Sequence, residues 1–132
     1  MKMPYAEIEK GIFAPVVRLE IKSPDRWIET EAYVDSGASY CIFKTEVAEI
    51  LKLKLLRGHK VLLTVGDGGL IPVYLHNLPV KFAGHEFNAR IGFSEKLGVE
   101  FNLIGRASFF ERFMVCFNDK LNFLSATWLG KK

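Results

Sequence analysis

The chain is poor in the residues and motifs that mark cofactor, metal and membrane proteins. Among 132 residues it has two cysteines, Cys41 and Cys116. Both sit among apolar neighbours, where a free thiol behaves as a small hydrophobe, so no disulfide framework is expected. The three histidines, His59, His76 and His85, are scattered and lack metal-ligand spacing. There is no Walker loop, no Gly-x-Ser-x-Gly elbow and no His-Glu-x-x-His pair. No run is long and apolar enough to cross a bilayer, and the opening MKMPYAEIEKG has no apolar signal-peptide core. The expectation is a soluble, cytoplasmic domain with no metal, no cofactor and no membrane partner.

Apolar bulk is what the chain does have. It is 49% hydrophobic with 11 Phe, enough for a core, and its length suits one domain over residues 1–132. A net charge of +3 is only mildly basic and does not argue for a nucleic-acid partner.

Periodicity points to short strands. Val17, Leu19 and Ile21 alternate with Arg18, Glu20 and Lys22, a period of two. The turn cluster Ser23-Pro24-Asp25-Arg26 leads into a second strand with Ile28, Thr30, Ala32 and Val34 on one face, making a hairpin. Residues 45–53 change to helical spacing, with Thr45 as N-cap and Val47, Ile50 and Leu51 on one face. The basic residues that follow, through Arg57, His59 and Lys60, read as a solvated helix end. Apolar runs 61–65 and 70–75 flank Gly66-Asp67-Gly68-Gly69, whose glycines supply the positive φ of a tight hairpin. Pro72 removes a ladder donor, so this hairpin should keep a free edge. Runs 78–82 and 87–93 pair around Ala83-Gly84-His85-Glu86. After a short strand over 101–104, Phe109, Phe110 and Phe113 fit one face of a second short helix, and runs 114–117 and 121–126 form a last hairpin. Many short strands with two short helices predict a closed or sandwich-like β architecture.

The chemistry concentrates in YVDSGASYCIF, residues 33–43, where Asp35 ends an apolar strand and Ser36, Gly37 and Ala38 follow. Small residues after a carboxylate let two backbones approach closely. Alone, the tetrapeptide reads as a turn as readily as half of an active site. Behind it, in order, come the Gly66–Gly69 hairpin tip and Leu103-Ile104-Gly105-Arg106. The combination resembles the retroviral-type aspartic proteases, the retropepsins, over residues 16–126. That resemblance implies a mainly β, closed retropepsin-like (acid protease) barrel with two short helices and a flap hairpin. It implies that Asp35 is the catalytic carboxylate, that the Ser36 hydroxyl bonds across a subunit interface and that Gly37 lies near the substrate backbone. Ala38 completes the loop, while Ile104 and Gly105 match the support beneath it. Gly66, Asp67, Gly68 and Gly69 match the flap by position alone. The added helix after the motif is closer to cellular and microbial retropepsin-like domains than to the minimal viral enzymes. Two departures stand out. Ser39 occupies the place where viral members often carry an aspartate paired with the arginine of the second motif, so Arg106 needs another partner or another role. Asp67 puts a carboxylate at the flap tip.

Aspartic protease chemistry needs two carboxyl groups at one water. When close together they share a proton and titrate as a unit. The chain has one Asp-Ser-Gly segment, so the second carboxylate has to be Asp35 of another copy. The resemblance therefore implies an aspartic endopeptidase that works as a C2 homodimer on an extended polypeptide. The alternative is a retropepsin-like domain with weak or no proteolysis, kept for dimerisation or peptide binding.

Overall fold

The alternating pattern becomes a strand-rich architecture in the computed structural model, which describes residues 1–64, 68–96 and 100–130. In chain order the strands are β1 (Lys2–Pro4), β2 (Ala6–Glu9), β3 (Ile12–Ala14), β4 (Val16–Lys22), β5 (Trp27–Val34), β6 (Cys41–Lys44), β7 (His59–Thr64), β8 (Leu70–Phe82), β9 (His85–Ser94), β10 (Leu103–Ile104), β11 (Phe113–Asn118) and β12 (Phe123–Trp128). A helix, α1 (Thr45–Ile50), follows β6. Seven strands form one sheet in the order β4-β5-β10-β6-β9-β8-β7. Its end strand β4 also pairs with β8, Glu20 opposite Lys81 and Ile21 opposite Val80, so the sheet comes back onto itself. A second sheet has the order β1-β12-β11, and β2 and β3 form a separate hairpin.

The first predicted hairpin is β4–β5, in register from Val16–Tyr33 to Lys22–Trp27. Val17, Leu19 and Ile21 are buried, as their alternation requires. The last hairpin is β11–β12, and β7–β8 flanks the glycine-rich segment with Thr64 opposite Leu70. Pro72 lies opposite Leu62, and the ladder from β8 to β9 begins only at Tyr74, so residues 70–73 project beyond β9. Aromatic side chains fill the interior: Phe43, Phe93, Phe109 and Phe113 are fully buried, and Phe109 meets Phe82 edge-on at 5.2 Å.

Four expectations need correction. Runs 70–75 and 78–82 are one 13-residue strand. His76 and Asn77 do not break it, because they stay in the ladder opposite Ile91 and Arg90, and His76 Nε2 bonds Leu55 O at 3.0 Å. The β8–β9 turn is Ala83-Gly84 alone, both at positive φ (51° and 81°) as a two-residue hairpin demands, with His85 and Glu86 already paired. Thr45 is the first residue of α1 rather than its cap, and Ala48 and Leu51 are buried while Ile50 is 54% exposed. Lys52, at φ 58°, ends this stretch and ion-pairs with Asp25, which holds that carboxylate below its usual range. Finally, Arg106–Phe110 is not a regular helix. Ala107 (ψ 130°) and Ser108 (φ 73°) leave helical geometry. Ser108 instead takes the Arg90 N–H on its hydroxyl at 2.9 Å and gives its own N–H to Glu111 Oε1 at 2.8 Å. Phe113 belongs to β11.

The shortest strand has the largest positioning role. β10 lies between the two strands that flank Asp35. It runs parallel to β5, with Ile104 beside Val34, and antiparallel to β6, with Leu103 opposite Ile42. Asn102, just before it, clamps both. Its Oδ1 accepts from Lys44 N at 2.9 Å, its Nδ2 donates to Glu31 O at 3.0 Å, and its carbonyl accepts from Tyr33 N at 2.7 Å. Just after β10, Gly105 passes so close to the loop that a Cβ there would collide with the carbonyl of Tyr40 and lie 2.7 Å from Ala38 O. These obstacles are backbone, not a side chain that can swing away.

Two outcomes follow for urea unfolding. Asn102→Ala removes both side-chain bonds and leaves the Lys44 N–H without its partner, at an expected cost of about 1–3 kcal/mol. Gly105→Ala should cost about 3 kcal/mol or prevent folding, since the clash requires the two segments to part. A loss below about 0.5 kcal/mol for either variant, within the range of ordinary surface changes, would contradict the brace.

Candidate active site

The site grows from the end of β5. Val34 donates its N–H to Pro15 O at 2.9 Å, and Asp35 donates its N–H to Ile104 O, also at 2.9 Å. The chain then turns, with Ala38 N reaching Asp35 O at 3.2 Å. The carboxylate takes part in this turn: Oδ1 accepts the Gly37 N–H at 2.8 Å, which orients the carboxyl group. A Cβ on Gly37 would lie 3.2 Å from that oxygen, so glycine leaves room for the carboxylate to bond this way. Asp35 is half-buried, and Ser36 and Gly37 are exposed. Among the described residues no cation lies within ion-pairing distance of Asp35. The carboxylate is thus held from one side by the backbone of its own turn and remains reachable from the other.

The loop is tied from beneath. Arg106 N donates to Ala38 O at 2.8 Å and Ala107 N to Ser39 O at 2.9 Å, beside the Asp35 N to Ile104 O bond. Ile104 is buried under the loop. Cys41 completes the underside: its Sγ accepts the Gly105 N–H at 3.4 Å and lies 3.8 Å from Ala107 O. Burial pushes the Cys41 thiol up to about 12, against a smaller opposing effect of the Gly105 N–H. It stays protonated at neutral pH and acts as a packing and bonding group, not a nucleophile.

Asp35, Ser36, Gly37, Ala38, Ile104 and Gly105 are therefore brought together in one small region. Gly68, at φ 86°, and Gly69 lie in the β7–β8 connection, whereas Gly66 and Asp67 fall outside the described residues. Arg106 is exposed and shares a cavity of about 330 Å³ with Ser39, Tyr40, Ala107 and Glu111, so an acidic side chain stands in the arginine's own cavity where Ser39 provides none. Asn102 and Cys41 were not picked out as site residues from the sequence. The available signal was an amide beside the apolar pair Leu103-Ile104, and a thiol six residues after Asp35. Among the described residues no group of His, Cys, Asp and Glu is arranged to hold a metal ion, and no helix is long and apolar enough to cross a membrane.

No protein-family model and no curated protein matches the chain. Solved structures do. A retropepsin-like aspartic protease from Rickettsia conorii matches with a TM-score of 0.64 at 19% identity, over 94% of this chain and 90% of that one. EIAV protease, complexed with the inhibitor HBY-793, matches with a TM-score of 0.51 at 21% identity, over 70% of this chain and 82% of that one. Identities this low speak to architecture alone, and the architecture they establish is a retropepsin-like fold.

Proposed function

We propose that the protein is an aspartic endopeptidase whose active site forms between two copies of the chain. The observation that carries this reading is the Asp35 loop itself. One reachable carboxylate is oriented by Gly37 N and anchored by three backbone bonds to residues 104–107, inside a retropepsin-like fold. A single such loop per chain supplies half of a two-carboxyl site.

Two Asp35 side chains meeting across a two-fold axis would share one proton, because both cannot ionise readily at close range. The ionised member takes a proton from water, and the resulting hydroxide attacks the peptide carbonyl. The protonated member polarises that carbonyl, and the departing nitrogen is then protonated. No cofactor is needed. The Ser36 hydroxyl, exposed beside Asp35, in this reading bonds across the subunits. In this reading the β4–β8 pairing closes the sheet into a barrel, and the tip Gly66–Gly69 serves as a flap over the substrate. An extended polypeptide adds main-chain bonds along the β8 segment that projects beyond β9.

Asp35→Asn tests the chemistry without removing the anchor, since an amide oxygen still accepts from Gly37 N. Cleavage of an unfolded polypeptide should fall at least about a hundredfold. Wild-type activity per chain should fall on dilution as dimers dissociate, followed by sizing on the same samples. Undiminished cleavage by Asp35→Asn, or activity independent of dilution through dissociation, would refute the shared-carboxylate site. A wild-type dimer that binds peptide without cutting it would instead identify a dimerisation or peptide-binding module.

A further inference from the structure

Positive charge is unevenly spread along the chain. Between Glu49 and Glu86 lie four lysines and one arginine against a single acidic residue, Asp67. Lys52 is engaged by Asp25, and Lys81 lies over the Trp27 ring, its Nζ 4.2 Å from the centroid. Lys54, Arg57, His59 and Lys60 are exposed, and among the described residues none of them makes an ion pair. The acids that precede them, Glu46 and Glu49, lie on α1.

The same region shows aliphatic side chains to water. Leu56, in a single helical turn over Leu55–Arg57, is 75% exposed, Leu62 58% and Leu70 61%. Along β8, residues 70, 72, 74 and 76 share one face, and pairing sets Thr64, Leu62 and Lys60 beside the first three on that face. His76 Nε2 bonds Leu55 O at 3.0 Å, so the Leu55–Arg57 turn lies against this face too. The reverse face, with Ile71, Val73 and Leu75, packs on Tyr40, Val61 and Leu63. The other exposed large apolar residues have different surroundings. Ile8, Ile12 and Phe13 share the β2–β3 hairpin with Glu7, Glu9 and Lys10. Met114, Phe117, Leu121 and Leu129 lie in a stretch whose charges, Asp119 and Lys120, cancel. Ile50 follows Glu49 on α1, and the main chain of Met1 is bonded to Ala126.

We propose that the outer face of β7–β8, with the Leu55–Arg57 turn, docks on an anionic phospholipid bilayer. Lys54, Arg57 and Lys60 meet the headgroup phosphates, while Leu56 and Leu62 enter the acyl boundary. Charge complementarity selects an anionic partner, and the leucines select a bilayer among anionic partners. A nucleic acid offers phosphates but no hydrocarbon for aliphatic side chains, whereas a bilayer presents both side by side. The expectation of no membrane partner rested on the lack of a spanning run, and peripheral docking needs none. The docked face is the one turned away from Tyr40.

The full chain should co-sediment with phosphatidylcholine vesicles containing about a third phosphatidylserine, not with pure phosphatidylcholine, and salt at about 0.5 M should release it. Lys54→Ser/Arg57→Ser/Lys60→Ser should weaken binding at least about thirtyfold. Lys10→Ser/Arg90→Ser/Lys120→Ser removes as much charge elsewhere and should stay within about twofold of wild type. Leu56→Ser/Leu62→Ser, with folding checked by circular dichroism, should weaken binding at least about fivefold. Failure to bind the anionic vesicles would overturn the proposal. So would equal weakening by the two charge variants, which would mean net charge alone. Duplex DNA bound more tightly than the vesicles, with no loss in the leucine variant, would overturn the bilayer in favour of a polyanion. Each readout is binding without cleavage, so the docking face and the two-copy enzyme stand or fall separately.

Discussion

Everything distinctive about this molecule depends on a short piece of backbone running beneath a loop. Three N–H···O bonds tie residues 104–107 to residues 35–39, and β10 keeps the two segments level by lying between the strands that enter and leave the loop. A carboxylate at the end of a strand is ordinarily a mobile group on a surface turn. Here its position is set by main-chain atoms, which have no rotamers to lose, and its orientation by the N–H of Gly37, two residues on. Such preorganisation is what acid–base chemistry on a bound water requires, because a misplacement of an ångström is costly in rate.

The parts of this arrangement differ in how openly they are written in the sequence. The β4–β5 hairpin, the C-terminal hairpin and the β7–β8 pairing were legible because alternation and turn residues are local signals. Asp35-Ser36-Gly37 and Ile104-Gly105 were legible only as a pair, through resemblance and order along the chain. Their contact was then visible in the structure as a gap that a Cβ at Gly105 would fill. The misreadings have physical causes. His76 and Asn77 suggested an interruption of β8, but polar residues on a strand interrupt nothing while their backbone stays paired. The triplet Phe109, Phe110 and Phe113 fits helical spacing, yet Ser108 spends its N–H and hydroxyl on Glu111 and Arg90 and bends the segment away from a helix.

The first fourteen residues offered no periodic signal, because three strands of three or four residues are too short to show one. Their pairing depends on distant residues. Tyr5, for example, gives its hydroxyl to Asp119 at 2.7 Å and its N–H to Asn122 O at 2.9 Å. Asn102 was illegible for the same reason. An asparagine in an apolar stretch says nothing about which strands its amide joins, and that information lives only in the folded arrangement.

The Asn102 clamp also has a consequence in time. It joins residues 58 and 71 positions apart, and the Cys41–Gly105 contact spans 64. Contacts of such separation form late, after the entropy of closing long loops has been overcome. During synthesis the Asp35 segment leaves the ribosome long before residues 102–107 exist to hold it. A nascent chain therefore carries the whole acidic motif through most of its production with the carboxylate unanchored. The brace thereby separates possession of the motif from possession of the site, and makes synthesis of residues 102–107 a condition for assembling it.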